Sequence, residues 1–293
     1  MYDYQAIAAL AAVVHTGSFD KAAQQLGVTA SAISQRIKLL EERMGSVLVV
    51  RAQPCYPTPT GKRLVQHAEQ VALLEQAVAQ DLGQNAGAGE AVTIRIAVNA
   101  DSLATWFVEA LAGADDGLLY DLVVDDQDHS SELLARGEVS AAISGKPGAV
   151  QGCNCVPLGA LRYMATASPA FVKRWFADGV TAKALSVAPC MTFNIKDRLQ
   201  ANWAERLTGQ RMVLPTHWLP STHGFVDAAL AGLGWGMNPE PLVRAHVAAG
   251  RLISLSPSEP HDVPLFWHVS RLAAPALEPL SRKVRAVAAR HLV

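Results

Sequence analysis

Cysteine is scarce in this sequence: 293 residues contain four, Cys55, Cys153, Cys155 and Cys190. They are too few and too irregularly spaced for a disulfide framework. Cys153 and Cys155 stand at i and i+2, on one face of a strand, but no second ligand pair follows at zinc-site spacing. Buried or half-buried thiols are therefore expected, and no metal. No apolar stretch reaches the roughly 18 residues of a membrane span. The first residues also lack a basic region followed by an apolar core, so the expectation is a cytoplasmic protein with no membrane partner. A dominant charge is missing too, since the net balance is −1, and the whole chain does not look like a nucleic-acid binder. An enzyme remains a rival from a different class, but neither a G-x-S-x-G elbow nor H-E-x-x-H appears. Residues 232–236 are Gly-rich, yet no Lys follows and no helix with a downstream ribose-binding acid is evident. No catalytic residue and no cofactor are expected.

What is present is ordinary globular material, 50% hydrophobic with 21 Gly and 16 Pro, in a length that suits two or three domains. The charge is unevenly placed. Residues 1–66 carry seven basic side chains (Lys21, Arg36, Lys38, Arg43, Arg51, Lys62, Arg63) against four acidic (Asp3, Asp20, Glu41, Glu42), a local +3 that leaves −4 for the remainder. A basic head on an acidic body fits a DNA-binding module joined to something else. Within the head, Ser18 can cap a short helix bearing Ala22, Ala23 and Leu26 on one face. Gly27 supplies a break, and Thr29 can cap a second helix with Ile33, Ile37 and Leu40 inward. Helix, tight turn, helix is the helix-turn-helix pattern. Ser31, Ser34, Gln35 and Lys38 then lie away from the apolar stripe, where they can meet base edges and phosphates. The same residues also fit a surface helix pair with no binding role.

Residues 4–15 read as a first, Ala-rich helix with Ile7, Leu10, Ala11 and Val14 at helical spacing. Residues 47–51 read as a short strand. Pro54, Pro57 and Pro59 exclude regular structure after it and leave a stiff loop with Arg51, Tyr56 and Thr58 exposed, which together make a wing. Residues 60–82 read as one long helix with Leu64, Ala68, Val71, Val78 and Leu82 along a seam that Glu75 interrupts. Such a stripe needs a partner, either a second subunit or the chain's own body. Residues 83–90 form a flexible linker. Beyond it strands (92–98, 118–125, 139–144) alternate with helices (102–111, 129–136), which argues for a parallel sheet. Residues 155–167 are extended and lead to a second unit with helices at 170–176, 198–207 and 225–231 and strands at 190–194, 211–215 and 234–237. Residues 263–269 are extended and 277–291 helical. Two such units sharing crossover strands enclose a cleft.

Residues 4–82 resemble the DNA-binding module of LysR-type transcriptional regulators. The resemblance rests on Ser18-Phe19, Ala22-Ala23, Leu26, Ser31-Ala32-Ile33-Ser34, Ile37, Leu39-Leu40-Glu41, Gly45, Leu48, Arg51 and Thr60-Gly61. Val49 stands where the family usually has Phe, a change of packing. From about residue 91 the chain is similar to the family's two-subdomain, periplasmic-binding-protein-like α/β effector domain. Residues 96–106, 125–129 and 232–237 look closest to the LysG/ArgP branch, which senses basic amino acids. The resemblance implies a winged helix-turn-helix domain (1–60), a linker and dimerisation helix with hinge (61–90) and an effector domain (91–293). The last divides into one subdomain at about 91–166 and 268–293 and another at about 167–267. It implies activation of a gene for lysine or arginine export, with double-stranded promoter DNA, RNA polymerase and a small-molecule effector as partners. The implied assembly is a homodimer, paired further into a homotetramer. The DNA-contact set is Ser18, Thr29, Ser31, Ser34, Gln35, Arg36, Lys38, Arg51 and Thr58. A LysR-type regulator with a different effector, or a bare solute-binding protein, is the alternative.

Ligands of two-lobed α/β domains sit at strand ends and helix N-termini. Backbone N–H groups at Asp101-Ser102 and the Ser102 hydroxyl are placed to hold an α-carboxylate. Asp126 and Asp128 are placed to pair with an ammonium or guanidinium. Ser144, Phe193, Asp197, Thr222 and His223 complete the expected effector set. Asp101, Asp128 and Asp197 fit equally well as helix caps, and His223 as a surface histidine.

Overall fold

The computed structural model describes residues 3–82, 92–114, 117–124, 130–148, 150–256 and 260–293. The expected linker at 83–90 and the expected site residues Asp126 and Asp128 lie outside them. The chain divides into two compact units. One is Met1–Ile94 with Gly117–Leu119 and Leu272–Ala276; the other is Arg95–Asp116, Tyr120–Arg271 and Leu277–Val293.

In the first unit α1 (Tyr4–Thr16) begins at Asp3, whose Oδ1 accepts the N–H groups of Gln5 and Ala6 at 3.1 and 3.2 Å. Ser18 caps α2 (Phe19–Gln25), Thr29 caps α3 (Ala30–Met44), and Gly45 ends α3 in the left-handed conformation. Ile33, Ile37 and Leu40 of α3 are buried with Ile7, Leu10 and Val13 of α1 in one cluster. Each such side chain contributes roughly 1.5–3 kcal/mol by leaving water.

The expected strand at 47–51 shortens to β1 (Val49–Val50), antiparallel to β2 (Tyr56–Pro57) with Val49 opposite Pro57. The cause lies in the preceding backbone. The Leu48 N–H donates to Glu41 Oε1 at 2.8 Å, and Thr58 Oγ1 donates to the Val47 carbonyl at 2.8 Å, so neither group joins a ladder. Thr58 is accordingly half-buried rather than exposed. The prolines do not exclude regular structure either. Pro57 stands in β2, and Pro59 opens α4 (Pro59–Asp81), where its missing N–H would have no helical acceptor. Along α4, Leu64, Val65 and Leu73 are buried, while Leu74, Val78 and the following Leu82 are 44%, 57% and 66% exposed.

The second unit takes up β3 (Thr93–Val98) from Arg95 onward, followed by α5 (Ala100–Ser102), a π-helical turn (Leu103–Phe107) and α6 (Val108–Ala112). β4 (Leu119–Val124), α7 (Ser130–Ala135), β5 (Ala141–Ser144), β6 (Cys153–Ala167), α8 (Pro169–Trp175), α9 (Ala182–Leu185) and β7 (Cys190–Thr192) follow. Then come α10 (Leu199–Thr208), β8 (Thr216–Trp218), α11 (Thr222–Leu230), β9 (Gly236–Pro239), α12 (Glu240–Ala248), β10 (Ile253–Ser254), β11 (His261–Ser270) and α13 (Glu278–His291). One sheet runs β10-β6-β11-β5-β3-β4, with β9 also on β6.

This sheet corrects the purely parallel expectation. β3–β5 and β7–β8 are parallel, but β6 runs antiparallel to β11, β9 and β10, and β11 antiparallel to β5. β6 and β11 are the expected crossover strands, pinned by Arg162 and Asp262 directly opposite each other, with two N–H···O bonds of 2.8 Å. The strand expected at 211–215 is instead β8, because the ladder with β7 starts at Thr216; Val213 is left 92% exposed. The short α9 and the longer α12 were not expected from the sequence; the Pro beside Glu240 masked a helix start. Trp106, Trp203, Trp235 and Trp267 are fully buried, and Trp267 Nε1 donates to Ser281 Oγ at 3.0 Å, tying α13 to β11. Cys153 and Cys190 are buried and Cys55 and Cys155 half-buried, all as free thiols; burial pushes the Cys153 and Cys190 thiols up. Among the described residues no helix is long and apolar enough to cross a membrane.

Candidate functional site

Two surfaces carry chemistry. The first is the outer side of α3. Thr29, Ser31, Gln35 and Lys38 are exposed there, and Ser34 and Arg36 are half-buried. They share one helix because Ile33, Ile37 and Leu40 claim its other side. The Lys38 ammonium lies 3.9 Å from Glu42 Oε1, a solvent-exposed pair of little strength. Arg51, at the end of β1, holds its guanidinium 5.0 Å from the centre of the Phe19 ring, a cation–π contact that aims an exposed cation. Three of the expected contact residues have work inside the fold. Ser18 Oγ accepts the Lys21 N–H at 3.5 Å, Thr29 Oγ1 accepts the Ala32 N–H at 3.2 Å, and Thr58 Oγ1 both donates to Val47 and accepts from Gly61. The cap reading weighed for Ser18 and Thr29 thus has its hydrogen bonds, whatever else these hydroxyls touch.

The second surface is a cleft in the other unit, enclosing about 780 Å³, part of it open to solvent. The turn after β3 supplies Asn99, α5 supplies Asp101, β6 supplies Tyr163, and the turn after β7 supplies Phe193, Asn194, Lys196, Asp197 and Arg198. The first turns of α10 supply Leu199, Gln200 and Asn202; α11 supplies Thr222 and Phe225; β9 supplies Met237 and Pro239. Asp101 is the centre of its hydrogen bonding. Tyr163 Oη donates to Asp101 Oδ2 and Thr222 Oγ1 donates to Asp101 Oδ1, both at 2.6 Å. Burial pushes the Asp101 carboxyl up from 3.8, the Thr222 and Tyr163 hydroxyls pull it down, and the Asp197 carboxylate pushes it up again.

Asp197 has a second task. Its carboxylate accepts the N–H groups of Phe193 and Leu199, each at 2.9 Å, and so shapes the turn that enters α10. Asn194 Oδ1 adds bonds from the N–H groups of Lys196 and Asp197 at 2.8 and 3.2 Å.

Of the expected effector set, Asp101, Phe193, Asp197 and Thr222 meet around this cleft. Ser102, Ser144 and His223 do not border it. Ser102 is completely buried; its N–H donates to Asn99 Oδ1 at 2.9 Å, and its hydroxyl is buried without a hydrogen-bond partner, away from the cleft lining. Ser144 is equally buried and accepts the Lys146 N–H. His223 is exposed on α11. Asp101 itself is no helix cap, because Asn99 caps α5. Sequence reasoning missed Tyr163, whose position inside a long strand carries no signal. It also missed Gln200, where a signal existed: a Gln at three and four residues before Trp203 and Ala204 stands on the buried face of α10.

Residues 4–62 match the family model for the bacterial regulatory helix-turn-helix protein, lysR family, and residues 87–291 match the LysR substrate binding domain. The HTH-type transcriptional regulator LysG of Mycobacterium tuberculosis is 45% identical over 283 residues, 96% of this chain and 92% of that one. The crystal structure of ArgP from Mycobacterium tuberculosis superposes with a TM-score of 0.80 at 43% identity, covering 100% of this chain and 99% of that one. Full-length LysG from Corynebacterium glutamicum with bound effector Arg gives a TM-score of 0.67 at 32% identity, covering 99% of both chains.

Proposed function

Because the chain belongs to the LysR family of bacterial helix-turn-helix regulators, we propose that it is a transcriptional regulator whose effector is L-lysine or L-arginine and whose target is a gene for export of a basic amino acid. It works in the cytoplasm on double-stranded promoter DNA and RNA polymerase. α3 enters the major groove through Ser31, Ser34, Gln35 and Lys38, with Ser18, Thr29, Arg36, Arg51 and Thr58 on the backbone. Two-fold DNA sites call for a homodimer, and the apolar side chains Leu74, Val78 and Leu82 offer α4 as its seam; dimers then associate into a homotetramer.

The observation that carries the effector assignment is Asp101. A carboxylate beside a cleft, already fixed by two hydroxyl donors at 2.6 Å, is preorganised to receive an ammonium or guanidinium as a charge-assisted partner. Asp197 adds negative charge to the same cleft, and Asp126 and Asp128, which follow the second expected strand of this unit, are proposed to pair with the ammonium or guanidinium. The arginine held by the Corynebacterium glutamicum relative supports the same ligand class. An effector acts by binding one arrangement of the oligomer more tightly than another, and shifts their populations by no more than that difference.

A thermal-shift titration of the purified full chain against the standard amino acids tests this. Lysine or arginine raises the melting temperature progressively with concentration while neutral and acidic amino acids leave it unchanged. Asp101→Asn abolishes the rise. A protein that responds to no basic amino acid discards the effector assignment.

A further inference from the structure

The cleft has an acidic side at Asp101, but the amide and hydroxyl of Ser102 are both committed or sealed, so an amino acid's α-carboxylate needs other donors. They are found across the cleft at the start of α10. This helix runs ten residues and has no acidic side chain in its first turn; the Arg198 side chain makes no capping bond, and the preceding Asp197 accepts the Leu199 N–H instead. The Leu199 N–H at this end is taken by the Asp197 carboxylate, so the donors left to an anion at this turn are side chains. Lys196 and Arg198, both exposed, border the cleft from the same turn. Asp197 lies between them and accepts the N–H groups of Phe193 and Leu199, one negative charge against the two positive ones of Lys196 and Arg198.

The independent observation is Gln200. It borders the cleft, is 2% exposed, and both its Nε2 and its Oε1 are buried with no hydrogen-bond partner. Buried amides are almost always paired, so one with both ends unmet marks a place where a polar partner is received. A carboxamide donates through Nε2 and accepts through Oε1, which matches a carboxylate and an ammonium carried on one carbon.

We propose that Gln200, with Lys196 and Arg198 of the turn that enters α10, is the subsite that receives the α-carboxylate of the effector and restricts the cleft to free α-amino acids. The inference rests on the basic-amino-acid reading of the cleft. Asp101 attracts the cation, whichever molecule bears it, and Gln200 rejects cations that lack a carboxylate. A site built to hydrogen-bond a group discriminates against an analogue lacking that group, because its own polar atoms stay unmet.

The test is calorimetric titration of the full-length protein with L-lysine and with cadaverine, the same molecule without its carboxylate. Wild type binds lysine more tightly than cadaverine. Gln200→Leu weakens lysine by roughly ten- to a hundredfold, the range for a hydrogen bond to a charged group, and leaves cadaverine unchanged, so the preference collapses. Gln200→Met, of similar length, repeats the measurement should the leucine variant not fold. Equal losses for both ligands, or an unchanged lysine affinity, overturn the role of Gln200 while leaving the basic-amino-acid reading intact. A wild-type protein that binds neither lysine nor arginine overturns that reading and this one together.

Discussion

Asp101 ties the chemistry of the cleft to pH. Its carboxyl is pushed above 3.8, chiefly by burial and against the pull of two hydroxyls, so the fold disfavours the ionised form. The sign follows: its contribution to stability is complete below 3.8 and is lost as pH rises through the elevated value. A cation placed beside it favours ionisation. Binding of lysine between pH 3.8 and that elevated value therefore expels part of a proton, up to about one per site, and affinity weakens as pH falls through the window. Calorimetry in two buffers of different ionisation enthalpy reads the proton directly, and Asp101→Asn removes it; equal heats in the two buffers throughout the window contradict the coupling. The residue itself was legible, as an acid following a strand. Thr222 was legible as a cleft residue too, but Tyr163 and the bonds of both to Asp101 were not. Tyr163 and Thr222 lie 62 and 121 positions away, and no local pattern announces a contact closed over that distance. Gln200 was legible in principle, since a polar side chain on an apolar helix face is a conflict between local pattern and burial, and such conflicts collect at functional sites.

Among the elements, the first three helices were readable because each carries its own start and stop. Asp3, Ser18 and Thr29 cap them, and Gly17 and Gly45 take the left-handed conformation at their ends. The wing was readable but its extent was not, since its length is decided by Glu41 and Thr58 reaching back to the backbone of Leu48 and Val47. Its seat on α4 rests on one glycine. A Cβ on Gly61 would stand 1.9 Å from the Leu48 carbonyl oxygen, a backbone atom that cannot turn aside. Gly61→Ala must push the strand off the helix and costs on the order of 1–3 kcal/mol, the range for overpacking. Thermal unfolding of the variant shows a lowered midpoint, and a shift below about half a degree would mean that the wing moves freely.

For the whole molecule, the decisive surface is the exposed stretch of α4. Leu74 and Val78, four residues apart, lie on neighbouring turns of one helix face and are 44% and 57% exposed. Leu74→Glu with Val78→Glu places two charges on the proposed seam. Sedimentation then shows the dimer shifted toward monomer, and binding to a two-fold operator weakens, because two half-sites no longer share one protein. An unchanged oligomer would move the seam elsewhere. The seam expected from the periodicity holds Val78 but not Leu74, and of its members Leu64 is buried, together with Val65 and Leu73 outside it.

The strand order has one more consequence, in time rather than in space. β5 and β6 follow each other along the chain, yet β11 lies between them in the sheet. A ribosome delivers residues 261–270 last but one among the elements, and until then the facing edges of β5 and β6 have no strand to pair with. The helices that read DNA are complete within the first 65 residues, with their own core. Each newly made molecule thus passes through an interval in which the reader of DNA has emerged and the sheet that frames the effector cleft cannot yet close.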